Sequence, residues 1–243
     1  MKRDSYNDQT GFSLIELLIA MSITIVIATL AGSLLAGSFK VRSREDRRTD
    51  AIADVQRALN IMSREIANAG YSLPSDLPTV SSNGIVADDS NSESIRVVSN
   101  LNGKPNSADP SLTDSDVDDS DEDLKFLMYV DADLGQRYIV RFEKNGARQT
   151  TVLANRIDSL VIRYYDEKVT YTTTYVDSVA DITDVRNASG TEETEVSPAN
   201  ARYIVIAVGV MLPAAGSPGT EDYQPPSFTQ LTSDVVLRNS LVY

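Results

Sequence analysis

At 243 residues and a formal charge of −13 at pH 7, the chain can hold one sizeable domain plus an anchor, the better fit, or two small domains, and it is too acidic to bind nucleic acid through a general electrostatic footprint. It contains no Cys and no His, which removes thiolate and imidazole chemistry together with the usual zinc ligand sets. A chain without Cys fits a reducing cytosol, and equally an oxidising exterior reached without disulfides.

The first expected element is a long helix. From Leu17 to Phe39 there is no charged residue and no proline, a run of about 35 Å that can cross the hydrocarbon core of a bilayer with some tilt. Its flanks do not suit a secretory signal peptide, although the small residues from Ala31 to Gly37 leave cleavage there open. Ser13-x-x-Glu16 matches a capping box, and the helix dipole favours an acid at this end. The cap accounts for Glu16, but not for Phe12, Leu14 and Ile15 around it, which draw the first turn into the apolar segment. An ionised acid carried toward the bilayer interior costs about 2.5–3.5 kcal/mol, so a partner or a function is expected for it. Cleavage between Gly11 and Phe12 would create an ammonium at Phe12, one turn from Glu16. In a stack of such helices, that ammonium could meet the carboxylate of the next chain.

Gly11-Phe12-Ser13-Leu14-Ile15-Glu16-Leu17-Leu18 resembles, residue for residue, the cleavage and assembly motif of the type IV pilin and pseudopilin family. The resemblance implies that a prepilin peptidase cuts after Gly11 and methylates the Phe12 amine, and that Glu16 serves subunit docking. Residues 1–11, with Lys2 and Arg3, look like the family's hydrophilic leader, diluted by Asp4 and Asp8. A count of basic residues argues the other way: five follow the span (Lys40, Arg42, Arg44, Arg47, Arg48) and two precede it, which would put the large domain in the cytoplasm. The motif is given precedence over that count.

Beyond the basic patch, Ile52, Val55, Leu59, Met62, Ile66 and Ala69 recur at helical spacing, while Asp54, Gln56, Arg57, Asn60, Arg64 and Glu65 occupy the other face. One helix from Phe12 to about Ala69 would be about 85 Å long, with Gly70 and Pro74 as its stop. It divides into a membrane half, residues 12–39, and an amphipathic half, residues 40–70. The stripe is too short for a coiled coil, so its expected partner is a sheet in the same chain. The Arg-rich segment reads as a solvated face or a headgroup-level anchor.

Residues 71–243 read as a β-rich domain. Candidate strands are Ser94 to Val98, Leu124 to Val130, Tyr138 to Phe142, Gln149 to Leu153, Ile157 to Tyr165, Tyr203 to Leu212 and Ser233 to Val242, with Asn145-Gly146 signalling a hairpin. The expected fold class is α+β: a long N-terminal helix laid on a mostly antiparallel sheet, as in type IV pilins. Polar insertions at 100–123, 172–200 and 213–227 are expected to be surface loops with limited order.

In the first insertion, Asp114, Asp116 and Asp118 begin like a calcium-binding EF-hand loop. The pattern then fails at Asp119, where Gly is wanted, and at Lys125, where Glu is wanted, so a solvated acidic loop is the expected reading, with a low-affinity calcium site in a calcium-rich exterior as the alternative and no other cofactor assigned. Asp131 and Asp133 would join such a site only if the fold brought them close. Arg64 to Tyr71, Ile157 to Tyr165 and Val235 to Ser240 resemble segments of PilW-type minor pilins, whereas the three insertions lie outside that resemblance.

The resemblance implies a minor pilin that helps initiate or cap a type IV pilus. It would be anchored in the inner membrane with a periplasmic domain before assembly, and sit on the pilus at the cell surface afterwards. Its implied partners are prepilin peptidase, major and minor pilins and the assembly platform. The alternatives are a minor pseudopilin of a type II secretion system, and a plain signal-anchored extracytoplasmic binding protein. No GxSxG, Walker loop or SxxK set nominates an enzyme.

Overall fold

The computed structural model describes residues 13–74, 77–102, 116–145, 148–176, 179–212, 214–220 and 223–240. Helix α1 runs from Leu14 to Ala67, 54 residues, about 81 Å long. Ser13 caps it and Asn68 ends it, followed by Gly70 at φ +78°, a left-handed conformation that stops a helix at little steric cost. The expected stripe is realised in its second half, where Val55, Leu59, Met62, Ile66 and the flanking Ala69 are buried. Ile52 is half-buried, and the small Ala51, Ala58 and Ala67 widen the buried face.

Among the described residues nine strands follow, and every pairing between them is antiparallel. β1 (Ser94–Val98), β2 (Asp123–Val130), β3 (Arg137–Glu143) and β4 (Thr150–Asn155) form a meander in that order. β5 (Ser159–Tyr165), β8 (Tyr203–Leu212) and β9 (Ser227–Val236) form a second sheet with β8 at its centre. β6 (Val169–Val176) and β7 (Val179–Asn187) make a separate hairpin. The α+β class holds, but the helix meets two sheets rather than one: its buried half packs against β4 of the first and against β8 and β9 of the second.

Two sequence expectations need correction. The segment 172–200, expected to be a polar loop, is largely the β6–β7 hairpin, with Val169, Ala180 and Ile182 buried in a second core against Val161, Tyr165, Tyr203, Val205 and Ala207. Its Thr-rich strand Val169–Val176 lacks large aliphatics yet favours extended backbone, because β-branched Thr fits a pleated surface. The last strand covers 227–236 rather than 233–242, paired along β8 from Tyr203↔Val236 to Leu212↔Ser227. The hairpin expected around Asn145 is present: β3 pairs antiparallel with β4, Glu143 N–H donates to the Gln149 carbonyl at 2.9 Å, and Gly146 lies outside the described residues.

The helix end is bolted to the body. Gly70 N–H donates to the Val98 carbonyl at 2.9 Å, and Val98 N–H donates to the Gly84 carbonyl at 2.8 Å. Gly84 sits at φ +81°, and a Cβ there would lie 1.9 Å from the Gly70 nitrogen. Asn239 donates its side-chain N–H to the Ala69 carbonyl at 3.0 Å and the Asn68 carbonyl at 3.3 Å, which ties the C-terminal end of the chain to the end of α1.

Candidate functional site

The feature that sets this chain apart is the first half of α1. Leu14, Ile15, Leu18, Ile25, Leu30 and Leu34 are between 55% and 77% exposed, and no apolar side chain from Leu14 to Leu35 is buried. Among the described residues, α1 is the one helix long and apolar enough to cross a membrane. Its hydroxyls are satisfied inside the helix: Ser22 donates to the Leu18 carbonyl at 2.8 Å, Thr24 to Ala20 at 2.7 Å and Ser33 to Leu30 at 2.8 Å. Between Ser22 and Ser33 a lipid or a neighbouring apolar helix therefore meets hydroxyls that already donate within the helix.

At the start of this half the capping box is complete. Ile15 N–H donates to Ser13 Oγ at 3.3 Å, and Ser13 N–H donates to Glu16 Oε2 at 3.1 Å. Glu16 thus bends back toward the chain end where cleavage would expose the Phe12 amine. Gly11 and Phe12 lie outside the described residues.

The other sequence candidates are not gathered into a site. Asp114 lies outside the described residues, while Asp116 and Asp118 are exposed and joined by a local turn, Asp118 N–H donating to Asp116 Oδ1 at 3.1 Å. Asp131 is occupied likewise, accepting from Asp133 N–H at 2.9 Å and Leu134 N–H at 3.0 Å in the β2–β3 turn. Among the described residues no group of three or more acidic side chains is arranged to hold a metal ion.

Several charged groups instead hold the body together. Arg96 on β1 grips Asp123 on β2 through two hydrogen bonds of 2.8 and 2.7 Å and reaches Asp89 at 2.6 Å. The hydrogen bond from Arg96, then that from Lys125, lowers the Asp89 carboxyl below its ordinary value of 3.8. Glu65, expected on the solvated helix face, is drawn into a half-buried pair with Arg141 on β3 at 2.9 Å, which clamps α1 to the first sheet. On the second sheet, Arg163 bridges Asp181 at 2.8 Å and Glu195 at 2.5 Å beneath the hairpin.

Where the exposed half of α1 meets the body lies a basic collar. Arg44 donates to Gln224 Oε1 at 2.9 Å and to the Pro225 carbonyl. A cleft of about 420 Å³ opens beside it, lined by Phe39, Lys40, Ser43, Arg44 and Arg47 of the helix and by Leu212, Ala214, Ala215, Gly216 and Gln224.

Residues 6–32 match the family described as the prokaryotic N-terminal methylation motif. The chain carries a prepilin-type signal. The matched residues comprise part of the expected leader, the capping box with Glu16 and most of the exposed apolar segment; residues 33–243 lie outside the match. The prepilin-type signal supports a pilin or pseudopilin, processed by a prepilin peptidase and anchored in a membrane by the apolar half of α1. No curated protein and no solved structure matches the chain.

Sequence reasoning missed Gly84 and Asn239, which fix the end of α1, and Gly209, where an added Cβ would lie 2.5 Å from Ser159 Oγ and 2.7 Å from Tyr175 Cε2. Asn239 lies in the segment 235–240 that resembles minor pilins, a signal which pointed to a strand rather than to a cap.

Proposed function

We propose that the chain is a minor pilin of the PilW type, a subunit that helps initiate or cap a type IV pilus and acts by assembly rather than catalysis. One observation carries the reading: a prepilin-type signal leads directly into a helix whose first half is apolar and exposed along its length, with a single carboxylate, Glu16, at its start. In the bilayer those side chains face lipid. In a filament they face the same half of neighbouring helices, and the cleaved Phe12 amine of one subunit pairs with Glu16 of another. The body, set at the other end of α1, supplies surfaces by which major and minor pilins are distinguished. Before assembly the body lies in the periplasm; afterwards it is carried on the pilus.

The motif serves pseudopilins equally, so the same physics supports a minor pseudopilin of a type II secretion system. Deletion separates the two: loss of pili marks one, and loss of protein export with pili intact marks the other. The first test is intact-mass and N-terminal analysis of protein recovered from membranes of a host with prepilin peptidase. The expected product begins at methylated Phe12 and is lost in Gly11→Ala. Glu16→Ala should still be cleaved and folded but should no longer enter filaments. An uncut wild-type chain, or one cut near Gly37, would overturn the proposal in favour of a signal-anchored or secreted protein.

A further inference from the structure

We propose that the collar cleft binds the phosphate group of an anionic phospholipid headgroup, holding the body against the membrane before assembly. This rests on the reading that the apolar half of α1 lies in a bilayer. Phe39 ends the apolar run, and the cleft opens over the next two turns at Lys40, Ser43, Arg44 and Arg47, about 12 Å of helix, which places it at headgroup depth. Its two sides differ in chemistry. Arg44 and Arg47 give a cationic pole, whereas Phe39, Leu212, Ala214 and Ala215 give an apolar wall. A headgroup phosphate with its first acyl carbons presents the same two chemistries.

Arg44 is set in place before any ligand arrives. Its bonds to Gln224 and Pro225 use two of the five guanidinium N–H groups and join the helix to the loop that forms the far wall. Of the two acids on helix residues 40–48, Asp46 is exposed and Glu45 lies 4.0 Å from Arg48, while Glu221 and Asp222 of the facing loop lie outside the described residues. Neither Glu45 nor Asp46 lines the cleft. The body's acidity elsewhere makes this patch stand out: residues 40–48 carry five cations against two acids in a chain of net charge −13.

The test uses the full chain in phosphatidylcholine vesicles containing about a tenth phosphatidylglycerol, with native mass spectrometry of the lipids retained after gentle detergent release. Phosphatidylglycerol should be enriched on the order of tenfold over its bulk ratio. Arg44→Gln with Arg47→Gln should abolish the enrichment. Ala214→Phe, which keeps every charge and fills the cleft, should abolish it too. Arg57→Gln with Arg64→Gln, which removes equal charge from the exposed helix face, should leave it intact. Enrichment that survives the cleft variants, or falls equally in the helix-face variant, would overturn the site. Displacement by millimolar inorganic phosphate would reassign it to a free anion. Self-association in pure phosphatidylcholine that is lost in the Arg44/Arg47 variant would reassign it to an acidic neighbouring subunit. A chain that does not float with vesicles at all would remove the membrane reading itself, an outcome distinct from a floating chain without enrichment.

Discussion

Between Leu14 and Leu35 the helix leaves its apolar side chains exposed, whereas from Ala51 to Ala67 seven of its residues are buried beneath two sheets. The backbone is the same throughout, and what differs is where the apolar surface lies around the cylinder. In the second half it forms a stripe, so one side faces the body and the other carries Gln56, Arg57, Asn60 and Arg64 to water. In the first half it covers the whole circumference, and no single sheet could bury it. A stripe is completed inside one chain; a fully apolar cylinder is completed only by a bilayer or by other helices.

Variants can break this contrast at three depths. The largest effect is expected at the joint. Gly84→Ala puts a methyl group into the Gly70 backbone at a positive φ, so it should destabilise the body by roughly 3 kcal/mol or more, read as a lost or strongly lowered melting transition of the full chain in detergent. Next comes a matched pair within α1. Ile66→Ala, at a site with no exposure, should cost about 2–5 kcal/mol, whereas Ile25→Ala, at 64% exposure, should leave the body's stability within about 0.5 kcal/mol. Equal losses in the two variants would mean that the first half also packs on its own chain.

The smallest effect is electrostatic. Because Arg96 and Lys125 lower the Asp89 carboxyl, the stability it contributes is fully present above its ordinary value of 3.8 and is lost as pH falls through the lower folded value. The side chain is 40% exposed, so solvent screening should hold the effect under about 1 kcal/mol. Asp89→Asn should flatten the acid limb of a stability-against-pH curve by that amount, and the helicity of the apolar half should stay unchanged across the same range.

Much of the site was legible in local sequence because it is local chemistry. The capping box needs four residues, Ser13 to Glu16, and the apolar run needs only a count of uncharged positions. β1 and β8 were read with both ends correct: β8 is an apolar run bounded by polar residues, and β1 is a short segment rich in β-branched residues around Arg96. The β6–β7 hairpin was missed because its threonines and charges dilute scattered apolar residues, Val169, Tyr171, Tyr175, Ala180 and Ile182, into no continuous apolar run. The clue lay in another strand: Tyr203–Leu212 is apolar at every position, not every second one, which means that both faces of β8 are covered. Ile204, Ile206 and Val208 face the helix side, while Tyr203, Val205 and Ala207 require a second cover.

The sequence by itself determined the helix, its apolar half, its capped start with Glu16 and the prepilin-type signal, because each depends on residues within a few turns of one another. Only the tertiary structure decided that two sheets share one helix, that Glu65 leaves the solvated face for Arg141, and that Gly84 and Asn239 close the helix end. Those contacts join residues far apart in the chain. Whether two such side chains meet depends on how every element between them packs, and no local pattern encodes that.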